Sequence, residues 1–306
     1  MTDGVFLSDL MPVLPTPFAV SGELLLEDIA REVAWALERG AKGLVVLGVA
    51  GEVFRLDDDE RRRIARAAVD ATRGRVPVVV GAGHLSTHLA VRAARTAVES
   101  GASALLVSPP PVGRASAATI ADYYATVAEA VDVPIILQDD PVHLGVGIAV
   151  STIVDLNRRY QNCRYAKLEE LPSMPKIRTV IEATAGSVAC LGGSGGVYVL
   201  EELAAGAVGL MTGFAFPEAL VAIIEAWQAG NPSRARQLYR IVGDLARLEA
   251  LPGVTLSIRK RLYQARGALS SSVIRGPGIE VDDWTWGLVE RELWQVEDEW
   301  ASRDAP

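Results

Sequence analysis

The chain has 306 residues, of which 50% are hydrophobic and 22% are charged, and its formal net charge at pH 7 is −8. This length and composition can bury a large core, either in two average domains or in one α/β barrel. The negative charge argues against a nucleic-acid or anionic-membrane surface, and no apolar run reaches the roughly 18 residues of a membrane span.

Two features of the chain bear on where it works. Its start, MTDGVFLSDLMPVLP, lacks a basic region and a small-residue cleavage site, so no signal peptide is expected. The two cysteines, Cys163 and Cys190, lie in apolar runs and are interpreted as small core residues. Together these features predict a cytoplasmic protein.

Short β-branched runs alternate with Ala- and Arg-rich amphipathic stretches along the chain. The runs are continuously apolar, as in parallel strands that are covered on both faces. They predict eight strands, at 13–18, 44–47, 76–83, 104–111, 133–140, 163–169, 187–193 and 208–214. The amphipathic stretches predict helices at 57–73, 86–100, 116–130, 150–160, 172–184, 197–206 and 217–229. Strand–helix units in this succession indicate a (β/α)8 TIM barrel in residues 1–230.

The strand signal stops after about residue 230. Residues 231–306 predict three helices that are separated by Pro and Gly and rich in tryptophan at the end. We expect a C-terminal helical extension that packs on the barrel or on another subunit, rather than an aromatic cage for a ligand.

A lysine, Lys167, stands in the sixth predicted strand, although lysine is rarely buried without a partner. Because side chains alternate along a strand, Tyr165, Lys167 and Glu169 share one face, which we expect to point into the barrel. Barrels of this kind keep their chemistry at the C-terminal ends of the strands. A desolvated amine there can attack a carbonyl as a nucleophile. The alternative is a buried Lys–Glu pair of structural use only, and the spacing alone leaves both open.

Further motifs follow one another in a characteristic order. They are PTPF at 15–18, GLVVLGVAGE at 43–52, GASALLVSPPP at 101–111, VPIILQDDP at 133–141, YAKLEE at 165–170 and LGGSGG at 191–196. In these motifs nearly the whole chain resembles the dihydrodipicolinate synthase and N-acetylneuraminate lyase family of Schiff-base-forming barrels. The resemblance implies that Lys167 is the Schiff-base lysine, that the substrate is a pyruvate-like 2-keto acid, and that the protein is a homotetramer or homodimer. A Schiff base needs no metal, and we expect no metal or other cofactor.

The chain departs from the family pattern where the family binds substrate and relays protons. The loop after strand two, which usually carries two hydroxyls, has Val49 and Ala50 in their place. Backbone N–H groups of Val49, Ala50 and Gly51 are expected to receive a substrate carboxylate instead. Gln138 and Asp139 stand where the family has Tyr-Asn on strand five, and His143 falls on the arginine of the synthases. A functional dihydrodipicolinate synthase is therefore not expected.

A Gln-Asp-x-Pro strand five with Lys-x-Glu on strand six resembles the 2-keto-3-deoxy sugar acid dehydratases of the family. We therefore predict a lyase that dehydrates a short 2-keto-3-deoxy sugar acid, with Lys167 as nucleophile and Glu169 as acid and base. The alternatives are a pyruvate-releasing retro-aldolase and a non-catalytic keto-acid-binding barrel. The residues expected to bind substrate are Val49, Ala50, Gly51, Gln138, Asp139, His143, Gly193 and Ser194.

Overall fold

The computed structural model describes residues 6–110 and 115–304, so Pro111, placed at the end of the fourth predicted strand, lies outside them. The described residues contain one parallel eight-stranded sheet. Its strands are β1 (Asp9–Pro12), β2 (Leu44–Val46), β3 (Val78–Gly81), β4 (Ala104–Val107), β5 (Ile135–Asp139), β6 (Cys163–Leu168), β7 (Ala189–Gly192) and β8 (Gly209–Thr212). The helices of the same residues are α1 (Leu26–Glu38), α2 (Asp58–Thr72), α3 (Thr87–Glu99), α4 (Ala117–Glu129), α5 (Pro141–Leu144), α6 (Val150–Arg159), α7 (Ser173–Ala183), α8 (Val199–Ala204), α9 (Pro217–Gln228), α10 (Pro232–Glu249), α11 (Thr255–Ala265) and α12 (Asp283–Ser302).

The strands follow one another around the sheet in chain order. β1 pairs with β8 on one side, and on its other side Val13 forms a parallel bridge with Val45. The N–H of Leu14 donates to the carbonyl of Val45 at 2.9 Å and completes the ring. Helices connect successive strands on the outside, so the predicted (β/α)8 barrel is confirmed.

The predicted position of the first strand, 13–18, is wrong. β1 ends at Pro12, and only Val13 beyond it still bridges to β2. Pro15 and Pro17 have no N–H to donate to a ladder, so the chain leaves the sheet there. Leu14 and Phe18 are nevertheless buried, which explains why the segment looks like a strand in sequence.

Two helices were not predicted. α1 buries Ile29, Val33 and Ala36 against the barrel, at the four- and three-residue spacing of a helix face. α5 is a single turn whose N-terminus is capped by the Asp140 side chain, which accepts from the N–H of His143. Such a short turn has too few residues to give a periodic signal.

Apolar side chains fill the barrel in two separate layers. One layer packs between sheet and helices, and the other, which we call the inner cluster, lies inside the barrel. The inner cluster contains Met11, Val13, Val45, Val79, Leu106, Ile136, Tyr165, Leu191 and Met211. Because side chains alternate along a strand, residues two or four positions after a member of the inner cluster on the same strand also point inward.

The three predicted C-terminal helices are confirmed as α10, α11 and α12. α10 packs against α9 and α12, and Trp300 lies edge-on to Phe216 with ring centroids 5.7 Å apart. The extension therefore packs on the barrel, while the domain boundary at residue 230 stays a prediction. None of the helices in the described residues is long and apolar enough to cross a membrane.

The extension also holds the loop that follows β2. The Nζ of Lys260 on α11 is fully buried, donates to the carboxylate of Glu52 and to the carbonyl of Val273 at 2.6 Å, and lies over the Phe18 ring. The other Glu52 oxygen accepts from Arg55 at 2.7 Å and from the N–H of Arg275 at 3.1 Å. Glu52 therefore ties this loop in place.

Lys260→Met should lower the free energy of unfolding by about 3 kcal/mol. The substitution leaves the Glu52 carboxylate buried with one cation fewer, and breaking a buried ion pair from one side is costly. Urea denaturation measures the change. The double variant Lys260→Met/Glu52→Gln removes both charges and should recover part of the loss, whereas a single variant within about 0.5 kcal/mol of the wild type would show that the pair does not hold the loop.

Candidate active site

The sixth strand presents its polar side chains to the barrel interior. Tyr165 belongs to the inner cluster, whereas Ala166 and Leu168 belong to the outer layer. Lys167 and Glu169 follow Tyr165 at two-residue intervals and therefore point inward at the C-terminal end of β6. Lys167 is 5% exposed. The structure thus places this lysine where the alternation predicted it.

Lys167 and Glu169 are in direct contact. The Nζ of Lys167 lies 2.8 Å from the Oε2 of Glu169, and the other oxygen, Oε1, accepts from the N–H of Ser194 at 3.0 Å. A Cβ added to Gly193 would lie 2.2 Å from Oε1, so only glycine fits beneath this carboxylate. Glu169 is therefore held from two sides, with one oxygen beside the amine. In this arrangement Gly193 and Ser194 position the acid.

The fifth strand brings two of its last residues to the same site. Gln138 is the register partner of Lys167, and Ile136 of the inner cluster shows that Gln138 and Asp140 point inward. Asp139 points outward, where it accepts from the N–H of Ile148 and lies 2.7 Å from the Nζ of Lys176. The structure therefore does not bring Asp139 to the site, because two adjacent strand residues cannot face the same side.

Asp140 and His143 form a pair at the mouth of the barrel. The Nδ1 of His143 lies 2.8 Å from the Oδ1 of Asp140, which is itself buried. The hydrogen bond that His143 donates to Asp140 raises the pKa of His143, and the charge of Glu169 raises it further, whereas desolvation opposes both. Burial raises the pKa of Asp140, but the hydrogen bond and charge of His143 together with Lys167 bring it below its usual value. The pair can therefore hold a proton close to the Lys167 amine.

The loop after β2 begins with a 3₁₀ turn over Val49–Gly51, and a second one follows at Val53–Arg55. The N–H of Gly51 donates to Gly48 and that of Glu52 donates to Val49, so the N–H of Gly51 is already used by the turn. The N–H groups of Val49 and Ala50 precede these bonds and are the ones that the turn leaves open. The side chain of Ala50 packs on the inner cluster, which places this turn at the mouth of the barrel.

Comparison with known proteins identifies the family. The profile described as the dihydrodipicolinate synthetase family matches residues 6–293. The chain belongs to this family. An L-2-keto-3-deoxyarabonate dehydratase of Azospirillum brasilense is 32% identical over 278 residues, which cover 89% of each chain.

Synthases are equally similar to this member of the dihydrodipicolinate synthetase family. A 4-hydroxy-tetrahydrodipicolinate synthase of Methanopyrus kandleri is 32% identical over 293 residues, which cover 95% of this chain and 96% of the relative. The crystal structure of dihydrodipicolinate synthase from Rhodopseudomonas palustris has a TM-score of 0.88 at 32% identity, over 94% of this chain and 97% of that one. The family is one of lyases, and the equal identities leave the particular reaction to the residues of the site.

Three polar residues of this dihydrodipicolinate synthetase family member were missed as site residues. Asp140 was passed over in favour of its neighbour, although the two-residue step from Gln138 already indicates it. Ser108 lies two residues after the inward-pointing Leu106 and therefore also points inward. A Cβ added to Gly83 would lie 2.2 Å from the Oγ of Ser108, so the hydroxyl occupies the space that a side chain at position 83 would need. Glu202 is fully buried behind β7, and no spacing in the sequence distinguishes it from Glu201.

Proposed function

We propose that this protein is a Schiff-base lyase that dehydrates a short 2-keto-3-deoxy sugar acid. The observation that carries the proposal is the contact between Lys167 and Glu169, in which a fixed carboxylate lies beside a buried amine. The L-2-keto-3-deoxyarabonate dehydratase among the relatives supports the choice of substrate class.

The reaction would begin at the Lys167 amine. The amine attacks the C2 ketone, and loss of one water gives an iminium that makes the C3 protons acidic. Glu169 takes one C3 proton and leaves an enamine, then gives a proton to the departing C4 hydroxyl, which leaves as water. A final water hydrolyses the unsaturated iminium and returns the free amine. The net change is the loss of C3–H and C4–OH as one water.

Neighbouring groups would hold the substrate. The open N–H groups of Val49 and Ala50 can donate to its carboxylate, which places C2 towards the barrel axis. Gln138, the register partner of Lys167, can donate to or accept from the ketone or the carbinolamine oxygen. The Asp140–His143 pair lies further out and suits a hydroxyl of the sugar chain.

The same pair supports a second candidate, the pyruvate-releasing retro-aldolase. That path needs a base at the C4 hydroxyl, which the family tyrosine supplies elsewhere and which Asp140 and His143 could supply here. The dehydratase remains our first choice because Glu169 lies directly beside the Schiff-base nitrogen, where the C3 proton is removed.

Incubation with a panel of 2-keto-3-deoxy sugar acids should give products that keep the whole carbon chain and lack one water. Mass spectrometry of the products distinguishes the two paths, since the aldolase path gives pyruvate and a shortened aldehyde. Pyruvate as the main product would replace the dehydratase by the aldolase. Binding of pyruvate without turnover of any sugar acid would indicate the non-catalytic keto-acid-binding barrel.

We also propose that the protein acts in the cytoplasm as a homodimer or homotetramer, on the resemblance to its family, and that it does not work as a dihydrodipicolinate synthase. The proposal that it is not a synthase rests on Val49, Ala50 and Gln138. None of these residues carries the hydroxyl that the synthase motif has at its position.

A further inference from the structure

A second carboxyl group lies directly behind the candidate active site. Glu202 on α8 has no exposed surface, and its Oε1 accepts from the hydroxyl of Ser173 on α7 at 2.8 Å. Its Oε2 is also buried and makes no well-aligned hydrogen bond among the described residues, with the backbone N–H of Gly193 as its nearest donor. A buried carboxylate oxygen without a partner is costly when charged, which favours a proton on this group.

Only glycine backbone separates Glu202 from Glu169. Leu191 belongs to the inner cluster, so Gly193 faces the barrel interior and Gly192 faces α8. A Cβ on Gly192 would lie 2.0 Å from the Oε2 of Glu202, just as one on Gly193 would meet Glu169. Consecutive glycines at the end of β7 therefore let two carboxyl groups approach the strand from opposite sides.

The charges that act on Glu202 come from the active site. Burial raises its pKa to about 7, the negative charge of Glu169 acts in the same direction, and Ser173, the Gly193 backbone and the positive charge of Lys167 oppose them. Three further elements of the described residues pack on α8. α7 directs Ser173 to Glu202, while its Lys176 pairs with Asp139 and Glu170 and its Arg178 pairs with Glu182. On β7, burial raises the pKa of the outward-facing Cys190 thiol to about 12, and the buried side chains of α9 are apolar.

We propose that Glu202 is a positioning residue whose charge sets how readily Lys167 becomes the free amine that attacks the substrate ketone. Interaction between charges is reciprocal, so an ionised Glu202 stabilises the ammonium form of Lys167. The neutral acid adds no charge to those of Glu169 and the Asp140–His143 pair, which already act on the amine. This inference rests on the Schiff base of the proposed function, but not on whether dehydration or carbon–carbon cleavage follows it.

The test compares Glu202→Gln with the wild type in the rate of Schiff-base formation with pyruvate, measured by borohydride trapping between about pH 6 and pH 8.5. Glutamine has the shape of the protonated acid and cannot ionise. Glu201→Gln is the matched control, because Glu201 is the exposed neighbour on the same helix. The assay uses pyruvate alone, so it works whichever sugar acid is the substrate.

We expect equal rates for the wild type and Glu202→Gln near pH 6, where Glu202 holds its proton. Above pH 7 the wild type should become severalfold slower than the variant, because the ionised Glu202 carboxylate favours the ammonium form of Lys167. Glu201→Gln should follow the wild type throughout. A constant ratio between wild type and Glu202→Gln across this range would overturn the proposal.

Thermal unfolding gives a readout that needs no chemistry. The folded-state pKa of Glu202 lies above its ordinary value of 4.5, so its contribution to stability is full below about pH 4.5 and is lost as the pH rises through 7. The melting temperature of the wild type should therefore fall relative to Glu202→Gln between about pH 5 and pH 8. A parallel course of the two melting curves would contradict the assigned ionisation.

Ser173→Ala keeps the proposal testable if Glu202→Gln does not fold. Losing the Ser173 hydroxyl removes a group that stabilises the ionised acid, so the slowing of Schiff-base formation should move to higher pH. An unchanged pH dependence in a folded Ser173→Ala would again overturn the proposal. Absence of trapping in the wild type itself would refute the Schiff base, and hence the proposed function.

Discussion

Lys167→Ala should abolish both the trapping of pyruvate by borohydride and all turnover of sugar acids. The wild type should gain one reduced pyruvyl group, and peptide mapping should place it on Lys167 alone. The expectation follows from the position of the amine, which is buried inside the barrel next to an acid at the C-terminal end of β6.

The other lysines of the sequence serve as internal controls. Lys42 is exposed and precedes β2, at the end of the barrel opposite the candidate site. Lys176 is paired with Asp139 and Glu170, and Lys260 is fully buried against Glu52. None of these three amines is among the side chains that point into the barrel beside Glu169.

Lys176→Met is a matched control for the nucleophile. It removes a lysine whose Nζ lies 2.7 Å from Asp139 on the outer side of β5, and it should leave the labelling of Lys167 intact. Persistent labelling in Lys167→Ala, or loss of labelling in a folded Lys176→Met, would contradict the assignment of the nucleophile to Lys167.

The parts of this structure that follow from alternation along a strand could be predicted. The inward direction of Lys167 and Glu169 depends only on a two-residue period and on apolar neighbours, both of which are visible in sequence. The same rule, applied to Gln138, indicates Asp140 instead of Asp139. Asp139 was grouped with its neighbour Gln138, although the two-residue period that places Lys167 inward turns adjacent residues to opposite faces.

Other features depend on packing that a single sequence does not specify. Which of Glu201 and Glu202 is buried depends on how α8 docks behind β7, and both residues fit an amphipathic helix. The amine of Lys176 on α7 is paired with Asp139, which faces outward from β5, and no spacing in the sequence indicates this contact. The end of β1 is different, since Pro15 and Pro17 indicate it in the sequence and the apolar residues on either side of them, Leu14 and Phe18, obscure it.

Glu169→Gln should lower turnover by about 10² to 10⁴ while Schiff-base formation with pyruvate continues. Imine formation needs the Lys167 amine and a ketone, and the glutamine carbonyl can still accept from the N–H of Ser194. The amide can neither take the C3 proton nor give one to the C4 hydroxyl. The loss should therefore appear in kcat on the best sugar acid, with trapping on pyruvate retained.

Glu170→Gln provides the matched control for this substitution. Glu170 is the next residue in the chain, half-exposed and paired with Lys176 on the outer side, so its variant should keep near-normal kcat. If Glu169 were only a counter-ion for Lys167, glutamine would either leave turnover near normal or abolish trapping together with the fold. A folded Glu169→Gln that traps pyruvate and turns over its sugar acid at the rate of Glu170→Gln would remove Glu169 from the proton transfers, and would transfer that role to the Asp140–His143 pair.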